Sequence, residues 1–287
     1  MTPPRKPDIP WTPMEWPDLT ARSRPDPDHQ FRYGDDSLQV VDLWLPAGRP
    51  AAGRWPTILM VHGGCWQSAI ADRRLMDWVA ADLRERGFAV WNIDYRGVDR
   101  DGGGYPGTFR DVADAADLLR IHADAHALNL SRIVALGHSA GGHLALWLAA
   151  RHRLPAGSML AQGDPLSIAQ VVSLGGLPDL AAVEASPDNG CGTEVIMQLV
   201  GDRPDRFADT SVTCLLPLGV PIDLVNGRDD RIVPARMAPA FAALARERGD
   251  TLTLHEIADT GHVELIAPDT AAWDATVAML HRIMPPA

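Results

Sequence analysis

The sequence predicts an α/β fold built on a mostly parallel sheet. Short apolar runs such as Ile58-Leu59-Met60-Val61 suit strands covered on both faces. Stretches with apolar residues at helical spacing separate these runs, and such alternation implies right-handed β-α-β crossovers. Gly87 and Gly249 mark the ends of two of the helical stretches.

Taken in order, residues 1–37 read as an N-terminal arm, proline-rich over roughly the first 28 residues, either loosely ordered or packed along the surface. Residues 38–287 form the domain proper. A partly alternating strand over 38–45 ends at Pro46. A strand over 57–61 leads to a helix over 70–86, with Leu75, Met76, Val79 and Leu83 in register. A strand over 88–94, an amphipathic helix over 111–123 and a strand over 132–136 follow. The apolar stretch 142–150 is a helix. Strands over 171–174, 220–225 and 251–257 come next, with a helix over 235–248 before the last of them. A helix over 268–283 closes the chain. Residues 178–217 break the alternation and are too long for a simple connection. They read as a lid-like insertion or an extra packed helix pair, and the two readings are compatible.

With 287 residues, 46% of them hydrophobic, the chain can bury the core of one large domain. Its net charge of −11, with no basic stripe, argues against a nucleic-acid partner. No apolar stretch is long enough to cross a membrane, and the N-terminal residues lack the apolar core of a secretory signal. The cytoplasm is therefore the default expectation. Cys65, Cys191 and Cys214 are scattered, with no C-x-x-C pair. Reduced thiols are expected, and a Cys191–Cys214 bridge is the alternative.

The chemistry centres on Gly137-His138-Ser139-Ala140-Gly141, a G-x-S-x-G between a strand and a helix. That pattern holds a serine on a sharp turn, with its hydroxyl clear of the backbone at the carboxyl end of the sheet. A serine hydroxyl needs a base, and the base needs a group to orient it. Of the histidines after Ser139, His143 and His152 lie on or at the end of the following helix, His255 inside a strand and His281 in the last helix. His262 alone falls in a loop after the final strand, and is the predicted base. The acid is predicted in Asn226-Gly227-Arg228-Asp229-Asp230, with Asp230 favoured and Asp229 in reserve. An oxyanion needs preorganised N–H donors. His62-Gly63-Gly64-Cys65-Trp66 follows the first parallel strand, so the amides of Gly64 and Cys65, with that of Ala140, are the predicted donors. Trp66 and His138 are placed at the substrate pocket, His138 chiefly as a neighbour of the nucleophile.

HGGCW, DYRG, GHSAGGHLALW, GRDDRIVP and DTGHVELI together resemble the α/β-hydrolases, most of all the small carboxylesterase and kynurenine-formamidase-like branch. The resemblance covers roughly residues 38–285. It implies an eight-stranded, mostly parallel sheet with the triad on its carboxyl edge, and no cofactor. Gly97 stands where that branch often has a second arginine, and Asn226-Gly227 where it often has His-Gly. The implied activity is cleavage of small carboxylic esters through an acyl-enzyme. An arylformamidase or another amidase or exopeptidase is the alternative, an activated amide then replacing the ester. A non-catalytic binding protein on the same fold is the third reading.

Two further patterns are set aside. Gly102-Gly103-Gly104-Tyr105-Pro106-Gly107 matches G-x-G-x-x-G but lies several residues beyond its strand, beside Asp99 and Asp101, and reads as a flexible loop at the active-site edge. His122 and His126 share a helical spacing but lack a third ligand, so no metal site is expected.

Overall fold

Ile58, Leu59, Met60 and Val61 are all fully buried, so both faces of their strand are covered. The computed structural model describes residues 11–161 and 163–285. Eight strands form one sheet: β1 (His29–Arg32), β2 (Val40–Trp44), β3 (Trp55–Val61), β4 (Ala89–Ile93), β5 (Leu128–His138), β6 (Gln170–Leu174), β7 (Ile222–Gly227) and β8 (Leu252–Ile257). Their spatial order is β1-β2-β4-β3-β5-β6-β7-β8. β1 pairs antiparallel with β2 and β2 antiparallel with β4, while every pairing from β4 to β8 is parallel.

Alternate residues of each strand serve different cores, as a period of two demands. Leu59 and Val61 join the face covered by α3 (Gly107–His122), α4 (Ala140–Ala150) and α8 (Met237–Glu247). Ile58 and Met60 join the face covered by α2 (Asp77–Glu85) and α9 (Ala271–Ile283). α4 is buried along its whole length, as its apolar sequence, interrupted only by His143, requires. Three short helices, α5 (Leu180–Glu184), α6 (Glu194–Val200) and α7 (Val212–Leu215), occupy the 178–217 insertion. Val195, Ile196, Leu199 and Val200 of α6 are buried in the main core, so the insertion is packed helices rather than a free flap.

Three expectations need correction. The stretch 1–37 contains, after a short helix α1 (Trp16–Thr20), the edge strand β1. An edge strand with one solvated face carries little apolar signal, and of its four residues only Phe31 is partly buried. The predicted helix over 70–86 begins late: Ile70 is exposed, a 3₁₀ turn spans Arg73–Met76, and α2 follows. Arg73 is drawn inward instead, donating to Asp42 at 2.6 Å and to Asp94 at 2.9 Å. The Gly102–Gly107 loop is packed, not loose. A Cβ on Gly103 would sit 1.7 Å from the Gly97 carbonyl oxygen, and one on Gly104 would sit 2.6 Å from that of Gln198. His122 stacks on Phe31 at 3.8 Å between ring centroids, and His126 lies tilted against the same ring at 5.5 Å.

Candidate active site

The turn from β5 into α4 gives Ser139 φ 55° and ψ −122°. A side-chain-bearing residue reaches that region only at a cost of roughly 1–3 kcal/mol. Its neighbours explain how the turn closes. A Cβ on Gly137 would lie 2.0 Å from the Gly141 carbonyl oxygen, and one on Gly141 would lie 2.2 Å from that of Val61 on β3. Only glycine lets helix and strand meet this closely. The Ser139 N–H donates to the Leu174 carbonyl at 2.8 Å, fixing the turn to the end of β6.

His262 stands in the loop after β8, and Asp230 in the loop after β7. The imidazole Nδ1 lies 2.7 Å from Asp230 Oδ2, and both side chains are almost wholly buried. Asp230 Oδ1 accepts the N–H groups of Ile232 and Val233, which aims the second oxygen at the imidazole. Asp229 is exposed, and its N–H donates to the Thr260 carbonyl, binding the two loops together. Asp230 rather than Asp229 therefore faces His262. The His138 ring is 4.4 Å from that of His262, and His138 Nε2 lies 3.1 Å from the His262 carbonyl oxygen. Burial, reinforced by the neighbouring imidazole, holds the His138 pKa well below the usual histidine range. It is neutral, and its Nε2–H donates to that carbonyl.

Ser139, His138, His262, Gly64 and Cys65 line one cavity of about 270 Å³. Among the described residues, the N–H groups of Gly64, Cys65 and Ala140 find no acceptor. Cys65 and Trp66 take positive φ values of 51° and 56°, so the loop is wound against its side-chain preference. Trp66 is not at the pocket. Its indole is fully buried and its N–H donates to His143 Nδ1 at 3.2 Å, while His143 Nε2 meets the Thr210 carbonyl at 2.8 Å. The tight winding turns the indole into the core beside α4. Gly97 is explained by the same loop: a Cβ there would lie 2.7 Å from the Trp66 carbonyl oxygen and 2.4 Å from the Ser68 nitrogen.

A family model described as BD-FAE matches residues 41–244. The chain belongs to the BD-FAE family. Within the α/β-hydrolase superfamily, this BD-FAE chain is 28% identical over 222 residues to "Esterase LipC" of Mycobacterium tuberculosis, covering 75% of this chain and 54% of that one. It thus spans about half the length of that relative. Its fold is similar to that of esterase B from Lactobacillus Rhamnosis, with a TM-score of 0.76 at 18% identity, covering 91% of this chain and 87% of the other. It is also similar to Thermogutta terrifontis esterase 2 phosphonylated by sarin, with a TM-score of 0.74 at 21% identity, covering 92% and 96%.

Several groups at this BD-FAE site escape sequence reasoning. Cys65 and Cys191, 126 residues apart, are joined by a disulfide, with Cα atoms 5.3 Å apart, and Cys214 is free. The reduced-thiol expectation holds for Cys214 alone, and the Cys191–Cys214 alternative does not hold. Only the folded chain brings the 178–217 insertion against the loop that carries Cys65, so spacing held no clue. Trp16 and Thr20, from the stretch read as an arm, line the cavity, as do Ile70, Leu75 and Ile232. The Gly102–Gly107 loop does not.

The disulfide is tested by thiol titration of the denatured, unreduced protein, which is expected to give one thiol. Reductant, or Cys191→Ser, is expected to lower stability by about 2–4 kcal/mol, because the bridge closes a long loop in the unfolded chain. Three free thiols and a reductant-independent melting temperature would contradict it.

His143 makes stability depend on pH. Burial pushes its pKa down to about 4. Below the ordinary histidine value the unfolded chain takes up a proton that the folded chain refuses, so stability is lost as pH falls from about 6.5 towards 4. Asp77, pushed up to about 7 by burial, acts in the opposite sense, so the His143 effect is read as a difference. Between pH 7 and pH 5 the wild type is expected to lose ~2 kcal/mol more than His143→Gln in urea denaturation. Parallel pH profiles would remove His143 from the account.

Proposed function

We propose that this protein is a serine hydrolase that cleaves small carboxylic esters through an acyl-enzyme. The observation that carries the reading is the buried Asp230–His262 pair, 2.7 Å apart, at a cavity that also holds Ser139 on a positive-φ turn. Family membership and the similarity to Esterase LipC support it.

In this reading the Ser139 hydroxyl attacks the ester carbonyl as His262 Nε2 takes its proton. Asp230 accepts the Nδ1–H, which selects the tautomer with a free Nε2 and stabilises the imidazolium that forms. The charge that develops on the carbonyl oxygen is met by the unpartnered N–H groups of Gly64, Cys65 and Ala140. As the tetrahedral adduct collapses, His262 returns the proton to the departing alkoxide and the alcohol leaves. Water, deprotonated by the same imidazole, then attacks the acyl-enzyme, and the carboxylic acid departs as Ser139 regains its proton.

The test is hydrolysis of p-nitrophenyl acetate beside N-formylkynurenine, with a fluorophosphonate label on Ser139. Ester turnover is expected to exceed formyl-amide turnover. Ser139→Ala is expected to abolish labelling and lower kcat by on the order of 10⁴-fold or more, with the melting temperature retained. Asp230→Asn is expected to lower kcat by on the order of 10⁴-fold. A clear preference for the formyl amide would move the reading to an amidase, and full activity in Ser139→Ala would end it.

A further inference from the structure

Trp16 is a large aromatic residue left 37% exposed, yet it stands edge-on to both His262 and His138, with ring centroids 6.2 Å from each. The segment that carries it is firmly held. The Met14 N–H donates to Glu264 Oε1 at 2.6 Å, and Glu264 Oε2 accepts the Gly261 N–H at 3.1 Å. One buried carboxylate therefore ties the segment to the loop of His262. Arg22 donates to the Pro268 carbonyl at 3.1 Å, and Leu19 is fully buried between these anchors. These anchors hold the indole edge-on to both imidazoles with one flank in solvent, where it forms part of the wall of the cavity they line.

Beneath it are two cavities. The one that holds Ser139 has a volume of about 270 Å³, at the small end of ligand sites. Its remaining wall is Trp16, Thr20, Ile70, Ala71, Leu75, Gly190 and Ile232, and no Lys, Arg, Asp or Glu lines it. The second, of about 320 Å³, lies against Met14, Asp229, Arg231 and Val263. Trp16, Ile232 and His262 border both. The indole and Ile232 thus stand between the serine's cavity and a larger space.

Resting on the esterase reading, we propose that the segment over residues 11–20 is the acyl-selecting wall of the site. Trp16 confines it to uncharged, short-chain carboxylic esters. The lack of a cation in the cavity gives no partner to a carboxylate on the acyl chain, and its apolar wall favours an alkyl group. The indole stops the chain from running into the second cavity. Ile70, itself exposed, gives the mouth an apolar lip.

The experiment is the kcat/KM profile of p-nitrophenyl esters from acetyl to octanoyl, for wild type, Trp16→Ala, Trp16→Phe and Thr20→Trp, with melting temperatures and fluorophosphonate labelling alongside. The wild type is expected to favour acetyl and butyryl. Trp16→Ala is expected to raise the octanoyl-to-acetyl ratio by about 10-fold or more, the scale on which an apolar pocket discriminates methylene groups. Trp16→Phe is expected to fall between, and Thr20→Trp to lower the butyryl-to-acetyl ratio. A Trp16→Ala profile that superimposes on that of an active wild type would overturn the proposal and leave the esterase reading in place. A wild type that prefers octanoyl would do the same. Absence of both turnover and labelling in the wild type would overturn the esterase reading, and this proposal with it.

Discussion

The backbone at Ser139 is the constraint on which the rest of the site depends. A positive φ at a non-glycine residue persists only where its surroundings over-determine it. Here β3, β5, β6 and α4 all converge on the turn, and glycines at 137 and 141 let them do so. Parallel strands put the carboxyl ends of β3, β5, β7 and β8 on one edge. The loop after each then contributes one part: Gly64 and Cys65, Ser139, Asp230 and His262. Residues more than a hundred positions apart come together because the sheet delivers its loops to one place.

The second strained element, the loop over Gly64-Cys65-Trp66, is held from three sides. Behind it, His62 Nε2 lies 3.1 Å from Asp94 and its ring stacks on Tyr95 at 4.3 Å between centroids, with Arg73 closing the charge network through Asp94 and Asp42. Below it, Trp66 donates to His143 on α4. Above it, the disulfide joins Cys65 to the insertion. In the proposed mechanism, amides preorganised in this way need not reorganise when charge appears on a carbonyl oxygen, which is the general physical basis of oxyanion stabilisation. The loop is rigid because a buried charge network, an indole hydrogen bond and a covalent tether act on three successive parts of it.

Most of the parallel sheet was legible in the sequence because buried strands must be apolar on both faces. The positions around Ser139, Asp230 and His262 were legible because strained turns and strand-end loops demand particular residues. The illegible parts share a different physics. β1 has one solvated face, so His29-Gln30-Phe31-Arg32 carries almost no periodic signal. The side chain of Trp66 was misplaced because the direction it takes depends on the winding of its own backbone. Cys65 and Cys191 pair across the tertiary structure, and Trp16 reaches the site through Glu264, 248 positions further along the chain. Neither contact leaves a pattern within any one segment.

The most direct test of the account is a crystal structure of the protein phosphonylated by a small fluorophosphonate, which mimics the tetrahedral adduct. Phosphorus is expected bonded to Ser139 Oγ. The phosphoryl oxygen is expected within hydrogen-bond reach of the N–H groups of Ala140 and of Gly64 or Cys65, with His262 still joined to Asp230. Phosphorus on another residue, or a phosphoryl oxygen turned away from those amides towards solvent, would contradict it.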